Sequence, residues 1–396
     1  MGNDILRGLR VLDLTRVLAG PFATRILADF GAEVIKIQSK KIATGAESNT
    51  APYFCAWNRN KRSITMDLSH PEARELFLKL VTISDVVVEN FSSRVMSNWD
   101  LNYDRLKEVN ERLLMLSMSG MGQTGPWKDY VAFGPTLQSL GGLTYLTSYA
   151  QDNPMGLGYA YTDLVSGLYG AMAVLAALEY RDKSGQGQSI DLSEYEAVCT
   201  MIGPALMDAF ANQNEILPKG NNADHILAAP YGCYKCSGED RWCVIAVFSE
   251  EEWHAFCGVL GNPAWAKEDR FSSISMRKDN KEELDRRIEK WTAKQPAKSI
   301  VQSLQQAGVS AGVVQNAEDL ANDPQLLARN FFVSVNHPAI GETKTDTSPI
   351  NFINSSTKLP LKGSPLMGEA NQYVYKELLG LSEDTIFSYI DRGIIA

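Results

Sequence analysis

The chain is poor in histidine, in clustered cysteine and in long apolar runs. Only four of its 396 residues are histidine, and none lies between residues 71 and 224. Its six cysteines are scattered, and the lone CxxC, Cys233 to Cys236, has no second CxxC to complete a zinc site. This spacing favours reduced thiols over a disulfide framework, and it predicts no metal site.

Charge and hydropathy exclude further classes. The net charge is -9, and no basic stripe with interleaved aromatics is present, so nucleic acid is not an expected partner. No apolar run approaches 18 residues without charge or turn residues, and the amino terminus lacks a signal-peptide pattern, so we expect a cytoplasmic protein with no membrane partner. The 44% hydrophobic and 21% charged composition is typical of a globular protein with large cores.

Phosphate-binding motifs are missing or out of context. Residues 120–125 match GxGxxG as a string, but Pro126 and Trp127 follow where a dinucleotide fingerprint needs a helix. The first strand-to-helix loop contains only Gly20, and no GxxxxGK[ST] is present. The sequence therefore argues against a dehydrogenase.

Strands and helices alternate over the first 120 residues. Pro21 is placed at the first position of a helix that ends before Gly31. Two further helices are predicted over 71–83 and 103–110. The intervening strands are predicted at 9–14, 33–37, 62–68, 85–91 and 113–118. This order predicts an α/β protein with a doubly wound parallel sheet. Later helices are predicted from Ser193 towards Ala211, near 250–260, over 281–307 and near 370–379.

Asp163 opens a long apolar helix. An apolar stripe with helical spacing follows it: Leu164, Leu168, Met172, Leu175 and Leu178. Because the other faces are also apolar, we expect the helix to be buried nearly all round. The helix dipole would favour an ionised carboxylate, and Ser166, Gly167 and Gly170 leave room for a close approach. The local alternative, which the pattern alone favours, is that Asp163 is simply the N-cap.

An ordered set of motifs resembles the family III CoA-transferases, the formyl-CoA, carnitine and benzylsuccinate CoA-transferase family. The motifs extend over essentially the whole chain, and each is weak alone, but their order and spacing are specific. They are residues 6–14, 19–21, 27–37, 60–64, 88–91, 119–126, 176–179 and 185–191, with a weaker echo at 365–369 and 378–381.

The resemblance implies a role for Asp163 as a nucleophile. In that family the matching aspartate attacks a donor thioester to form a mixed anhydride, and the CoA thiolate then forms an aspartyl-CoA thioester. An acceptor carboxylate then attacks this thioester to form a second anhydride, and CoA finally takes the acceptor acyl group. A CoA thioester is thus a substrate, and no permanently bound cofactor is expected.

The same resemblance implies which residues contact CoA. Val17 and Ala19, in the first strand-to-helix loop, and Asn90 and Phe91, after a strand, match positions that line the CoA site in relatives. Two cations are candidate phosphate contacts by location, although solvated surface charge is an equal interpretation: Arg94 and Lys128.

The resemblance also implies domain layout and assembly. We expect residues 1–211 to form the first part of a large CoA-binding domain, 212–225 a linker, 226–325 a smaller α/β domain, and 326–396 a return segment completing the large domain. Two chains are expected to interlock as a homodimer, or as a heteromer with a related chain.

Departures from relatives bear on the acceptor. Leu18 stands where some relatives have glutamine, and Gly134 stands near the position of a glutamate. Residues 228–234 have no glycine run, so formyl or oxalate substrates are not expected. We expect a bulky or aryl-substituted acid of the benzylsuccinate type. The candidate lining residues, each of which has core packing as its alternative, are Tyr130, Phe133, Leu18 and Tyr161.

Two other functions remain open. An α-methylacyl-CoA racemase uses the same scaffold but pairs its aspartate with a histidine whose position falls near Phe133, and this chain has no histidine there. A CoA-binding subunit without activity of its own is the second alternative, although retention of Asp163 argues against it.

Overall fold

The computed structural model describes residues 5–41, 43–149, 153–218, 220, 227–353 and 361–396. Contacts divide the chain into two compact units. Unit 1 comprises residues 1–145, 156–216 and 328–396, and unit 2 comprises 146–155 and 217–327. Of the linker predicted at 212–225, residues 219 and 221–225 lie outside the described residues, as does His225.

Unit 1 is built on a six-stranded sheet in which every pairing is parallel, with the order β3-β2-β1-β4-β5-β6. The predicted α/β class with a parallel sheet is confirmed. The strands are β1 Arg10–Asp13, β2 Glu33–Gln38, β3 Arg62–Thr65, β4 Val86–Glu89, β5 Leu114–Ser119 and β6 Gln188–Ser193.

Seventeen α-helices lie among the described residues. Those of the first half are α1 Ala19–Asp29, α2 Pro52–Trp57, α3 Pro71–Thr82, α4 Val95–Asn98, α5 Tyr103–Val109, α6 Gly134–Leu140, α7 Leu143–Leu146, α8 Tyr161–Ser184, α9 Glu194–Met201 and α10 Gly203–Asn212. The others are α11 Glu250–Val259, α12 Ile274–Asp279, α13 Lys281–Thr292, α14 Ala297–Gln306, α15 Ala317–Ala321, α16 Pro324–Ala328 and α17 Glu383–Asp391.

The central strands β1, β4 and β5 are buried on both faces of the sheet, which is why they are largely apolar. Successive strand residues point to opposite faces. Val11 and Val88 belong to a core shared with α1 and α8, whereas Leu12 and Val87 belong to a core shared with α3 and α5. Helices therefore cover both sides of the sheet.

Residues 328–396 complete unit 1 with a hairpin and a closing helix. The hairpin pairs β10 Phe332–His337 with β11 Gly341–Asp346. Asp346 ends β11 and forms ion pairs with Arg25, at 2.5 Å, and with Arg59, at 2.7 Å. The side chain of Thr65, at the end of β3, accepts a hydrogen bond from the backbone N–H of Ala396.

Unit 2 has a three-stranded antiparallel sheet of β7 Tyr231–Lys235, β8 Trp242–Ala246 and β9 Ser310–Val313, in that order. Helices α11, α13 and α14 contribute Phe256, Ile288 and Leu304 to its core. Arg277 is fully buried there, and its guanidinium group donates two hydrogen bonds to the Glu250 carboxylate, each at 3.0 Å. This pairing compensates the buried positive charge.

Several predicted helix boundaries are wrong, and proline explains most of them. Helix α1 begins at Ala19, so Pro21 is its third residue, where a missing N–H is still harmless. The helix predicted from Ser193 to Ala211 breaks at Ile202, before Pro204. The helix predicted over 281–307 breaks before Pro296. The closing helix predicted near 370–379 is a π-helix, Gln372–Leu378, followed by α17.

The prediction that α8 is buried nearly all round is also wrong. Leu168 and Met172 of the predicted apolar stripe are 56% and 57% exposed. The buried face carries the small residues Gly167, Gly170 and Ala171 instead. Of the described helices, α8 alone is long and apolar enough to cross a membrane, but this buried face packs against α1 and the sheet as a core helix does.

Candidate active site

The strand order changes direction between β1 and β4, which makes this the topological switch point of the sheet. The chain leaves β1 towards β2 on one side and continues from β4 towards β5 on the other. Ligands of doubly wound sheets bind at such switch points. Here Asn90, after β4, accepts a hydrogen bond from the Arg16 backbone N–H at 2.8 Å and donates to the Arg16 carbonyl at 2.9 Å.

Val17 has an unusual backbone conformation in the first of these loops. Its φ is +66°, which is rare for a β-branched residue because of steric crowding. Its backbone N–H donates to Glu47 Oε1 at 2.9 Å. Strained conformations of this kind persist only where surrounding bonds impose them, and they cluster at functional sites.

A buried cluster of charged residues, Asp13, Lys36 and Lys61, fixes the same loop. Lys61 donates to Asp13 at 2.9 Å and to the Pro21 carbonyl at 3.0 Å. Lys36 lies 3.8 Å from Asp13 and donates to the Thr15 carbonyl at 2.8 Å. Burial alone would raise the pKa of Asp13, but the two ammonium groups and the Thr15 hydroxyl outweigh it and lower the pKa to about 2. Asp13 is therefore ionised and structural.

Asp163 lies in the first turn of α8, at its third residue. The N-cap is Ala160, and no side chain caps the helix, so the interpretation of Asp163 as the N-cap is wrong. Only 7% of the residue is exposed. Within the described part of the chain, its Oδ2 atom is buried and has no hydrogen-bond partner.

Gly134 makes room for this carboxylate. A Cβ atom at Gly134 would lie 2.2 Å from Asp163 Oδ2 and 2.9 Å from the Ala160 Cβ. Any side chain at the start of α6 would therefore displace the aspartate. The departure from relatives at Gly134 therefore leaves room for the Asp163 carboxylate.

Burial dominates the ionisation of Asp163. Desolvation raises its pKa to about 6, although a hydrogen bond from its own backbone N–H opposes the shift. At neutral pH the group is still mainly a carboxylate, but a poorly solvated one.

The small residues of α8 serve helix packing. A Cβ at Gly167 would lie 2.7 Å from the Phe22 ring and 2.9 Å from the Ala19 carbonyl oxygen, and one at Gly170 would lie 3.0 Å from the Met118 sulfur. The start of α1 and the end of β5 thus fill the space beside Gly167 and Gly170, where the sequence predicted room for a ligand. This contact brings Ala19 beside α8, on which Asp163 lies.

Three polar residues near the start of α8 carry no signal in the sequence: Tyr53 and Glu194, which interact electrostatically with Asp163, and Gln138. Burial and the charges of Asp163 and Glu47 raise the pKa of Tyr53 to about 12, so its hydroxyl stays protonated. Gln138 of α6 accepts the Tyr161 backbone N–H at 2.8 Å and thus ties α6 to the start of α8. Glu194, the first residue of α9, is buried and interacts electrostatically with Asp163.

The predicted CoA contacts fall into two groups. Val17, Ala19 and Asn90 lie at the switch point, where Phe91 also donates its backbone N–H to Glu89 at 2.8 Å. The two cations are exposed and lie near each other. Arg94 pairs with Asp129 at 3.3 Å, and the Lys128 carbonyl accepts a hydrogen bond from Ser93.

The candidate lining residues separate by exposure. Leu18 is 2% exposed, so it belongs to the core. Tyr130, Phe133 and Tyr161 are exposed, and the last two stand at the starts of α6 and α8 respectively.

The arrangement suits nucleophilic chemistry by a carboxylate. Among the residues that the structure describes, no group of three or more His, Cys, Asp or Glu is placed to hold a metal ion. Burial raises the pKa values of Cys236 and Cys243, so these thiols are unreactive at neutral pH. A desolvated carboxylate is a stronger nucleophile than a hydrated one, and its buried position limits attack by water.

Comparison with known proteins gives a consistent result. Residues 6–371 match the model of CoA-transferase family III. Succinyl-CoA–D-citramalate CoA-transferase of Chloroflexus aurantiacus is 31% identical over 96% of both chains. Succinate–glutarate CoA-transferase of Agrobacterium fabrum is 31% identical over 94% of this chain and 95% of its own. The crystal structure of a CAIB/BAIF family protein from Brucella suis superimposes with a TM-score of 0.86 at 32% identity, covering 94% of this chain and 99% of that one.

Proposed function

The chain belongs to CoA-transferase family III and is a transferase, and on this basis we propose that it moves CoA from succinyl-CoA to an organic acid through covalent intermediates on Asp163. The observation that carries the proposal is the buried Asp163 carboxylate, whose Oδ2 has no hydrogen-bond partner among the described residues. An unpaired buried carboxylate costs stability and is retained where chemistry needs it.

The proposed reaction begins with attack of Asp163 on the succinyl carbonyl carbon. The carbon–sulfur bond breaks, which gives a mixed anhydride and CoA thiolate. The thiolate then attacks the aspartyl carbonyl, so that succinate leaves and an aspartyl-CoA thioester forms. The acceptor carboxylate attacks this thioester to form a second anhydride, and the thiolate finally takes the acceptor acyl group. The carboxylate of Asp163 is regenerated.

The switch-point loops are proposed to bind CoA. The backbone of Val17 and Ala19 and the residues Asn90 and Phe91 would form the wall nearest Asp163, because α1 begins beside α8. Arg94 and Lys128 would contact phosphate at the exposed rim. The bonds from Glu47 and Asn90 keep the first loop in one conformation before CoA arrives.

The proposed acceptor is a dicarboxylic acid. The two relatives are named for citramalate and glutarate, which supports this class. The narrower proposal is a bulky or aryl-substituted succinate of the benzylsuccinate type, for which the exposed rings of Phe133 and Tyr161 supply an apolar surface.

We also propose that two chains associate through the apolar face of α8 and α10. Leu168 and Met172 of α8, and Phe210 of α10, are more than half exposed, and α10 has no buried residue. Exposed apolar patches of this extent mark interaction sites. Light scattering of the purified chain should give the mass of a homodimer; a monomer that gains activity only with a second, related polypeptide would instead indicate a heteromer.

The test of the chemistry is substitution of Asp163. We expect Asp163→Ala and Asp163→Asn to lower transfer from succinyl-CoA by at least about a thousandfold, the loss typical of an essential nucleophile. CoA esters formed from a panel of acids, including citramalate, glutarate and benzylsuccinate, would be measured by mass spectrometry. The Asn variant must be assayed fresh, since deamidation restores aspartate.

A matched control is Asp182→Asn, which alters an exposed carboxylate near the carboxyl end of the same helix, α8. It should retain transfer. Substantial single-turnover transfer by fresh Asp163→Ala would refute the nucleophile. Exchange or epimerisation at the α carbon of an acyl-CoA, without CoA transfer, would favour the racemase.

A further inference from the structure

Arg16 carries an unpartnered guanidinium group in the loop before α1. It directly precedes Val17, at the switch point between β1 and β4, and it is partly buried. Its Nε atom is buried, and its side chain forms no hydrogen bond, ion pair or ring contact with any residue that the structure describes. Partly desolvated guanidinium groups are ordinarily paired, because a cation without a counterion lowers stability. The unsatisfied donors of Arg16 therefore indicate an anionic ligand.

The other cations around this loop have structural partners. Lys36 and Lys61 lie 3.8 and 2.9 Å from the carboxylate of Asp13, and both also donate to backbone carbonyls of the loop. Glu47, which contacts the loop, accepts the backbone N–H of the residue after Arg16 at 2.9 Å but forms no ion pair with the guanidinium group. Arg16 thus differs from the cations that hold the loop in place.

The backbone of Arg16 is fixed, although its side chain is not paired. Asn90 accepts a hydrogen bond from the Arg16 N–H at 2.8 Å and donates to the Arg16 carbonyl at 2.9 Å. The next residue, Val17, is held at a φ of +66°. Since these contacts involve only the backbone of Arg16, its side chain is not required to hold the loop. A guanidinium group on a fixed backbone is preorganised to bind a ligand.

The packing of α1 against α8 brings this loop and the proposed nucleophile to the same end of the helix pair. A Cβ at Gly167 would lie 2.9 Å from the Ala19 carbonyl oxygen, and one at Gly170 would lie 3.3 Å from the Ala23 Cβ. The two helices therefore run side by side in the same direction. The nucleophile lies one turn before Gly167, or about 6 Å along the axis. Arg16 lies three residues before Ala19, so both groups precede the same contact.

We propose that Arg16 determines substrate specificity: its guanidinium group binds the second carboxylate of a dicarboxylic substrate whose first carboxyl group reacts at Asp163. This inference rests on the proposed function and deepens it. A guanidinium group binds a carboxylate through two parallel hydrogen bonds, a geometry that an ammonium group does not reproduce. The succinyl donor and a dicarboxylic acceptor both carry a second carboxylate, so one arginine serves both halves of the reaction. The proposed phosphate contacts, Arg94 and Lys128, lie on the exposed rim instead.

The first experiment compares two acceptors of equal length, glutarate and pentanoate, in which a methyl group replaces the second carboxylate. We expect kcat/KM of the unsubstituted protein to favour glutarate by at least about thirtyfold, the effect of a charge-assisted pair. In Arg16→Gln the ratio should fall to within about threefold of one, and in Arg16→Lys it should be intermediate. The matched control is Arg112→Gln, which alters an exposed arginine before β5, at the opposite edge of the sheet, and should keep the ratio.

The ratio separates specificity from a structural role. A variant that only loosens the loop would lose transfer to both acids equally, so an unchanged ratio in Arg16→Gln would overturn the proposal. An unsubstituted protein that uses both acids equally well would also overturn it.

A second measurement does not require transfer. The unsubstituted protein, without any CoA thioester, would be treated with phenylglyoxal, which modifies arginine, and the peptides of Arg16 and Arg112 quantified by mass spectrometry. Glutarate at twice its dissociation constant should slow modification of Arg16 about threefold, whereas pentanoate should not, and Arg112 should respond to neither. Protection by CoA but not by glutarate would assign Arg16 to a phosphate and overturn the proposal. If glutarate protects Arg16 while Asp163→Asn keeps its transfer activity, the nucleophile assignment fails and the carboxylate site stands.

Discussion

Two aspartates of unit 1 are both buried, but their pKa values are shifted in opposite directions. Asp13 ends β1 and lies between Lys36 and Lys61, and it accepts hydrogen bonds from Thr15 and Thr24. Asp163 lies in the first turn of α8 and faces Gly134, and no cation among the described residues shifts its pKa. The pKa of Asp13 is lowered to about 2, and that of Asp163 is raised to about 6.

The difference shows that burial alone does not distinguish a structural carboxylate from a reactive one. Asp13 is compensated, and its bonds fix the loop on which Val17 lies. Asp163 is uncompensated among the described residues, which suits the nucleophile that we propose. One buried aspartate thus fixes the first strand-to-helix loop, and the other keeps a charge that no described cation neutralises.

The largest expected effect on stability comes from removing the compensated charge. Asp13→Asn should lower the free energy of unfolding at pH 7 by about 3–5 kcal/mol, because Lys36 and Lys61 would be left buried without their counterion. Since the pKa of Asp13 is lowered on folding, its contribution is present above about pH 4 and is lost as the pH falls towards 2. Urea denaturation at several pH values measures both. A loss below about 1 kcal/mol at pH 7 would contradict the structural role.

The uncompensated aspartate should respond with the opposite sign. Because the pKa of Asp163 is raised on folding, its ionisation destabilises the protein progressively as the pH rises from about 4 to about 6. Asp163→Asn should therefore raise the free energy of unfolding by about 1–2 kcal/mol at pH 8 and leave it nearly unchanged at pH 4. The same urea titrations give this comparison. A destabilised variant at pH 8 would show that Asp163 contributes to the fold as Asp13 does.

Sequence reasoning predicted much of this arrangement, and where it failed the reasons are physical. The strands of the sheet were found because residues such as Val86, Val87 and Val88 form a continuous apolar run. Asp163 was found because a carboxylate at the start of an apolar helix is unusual. The exposed face of α8 was not predicted, because Leu168 and Met172 have the hydropathy of core residues. The buried face carries Gly167 and Gly170 instead, whose small size allows close packing.

The side chains that interact with Asp13 and Asp163 could also not be predicted from the sequence. Asp13 and Lys61 lie 48 residues apart and meet only because β1 and β3 flank β2. Glu194 follows a serine N-cap, where an acidic residue ordinarily needs no explanation beyond the helix dipole. Its electrostatic interaction with Asp163 depends on the packing of α9 against α8, which no local pattern reveals.

The most direct test of the central claim is to trap the acylated aspartate. The protein would be incubated with succinyl-CoA and hydroxylamine, digested, and searched by mass spectrometry for a hydroxamate. Attack of Asp163 on the thioester predicts a hydroxamate at Asp163 that requires succinyl-CoA and is absent at Asp13. CoA transfer that proceeds at the full rate with Asp163 unmodified would contradict the account.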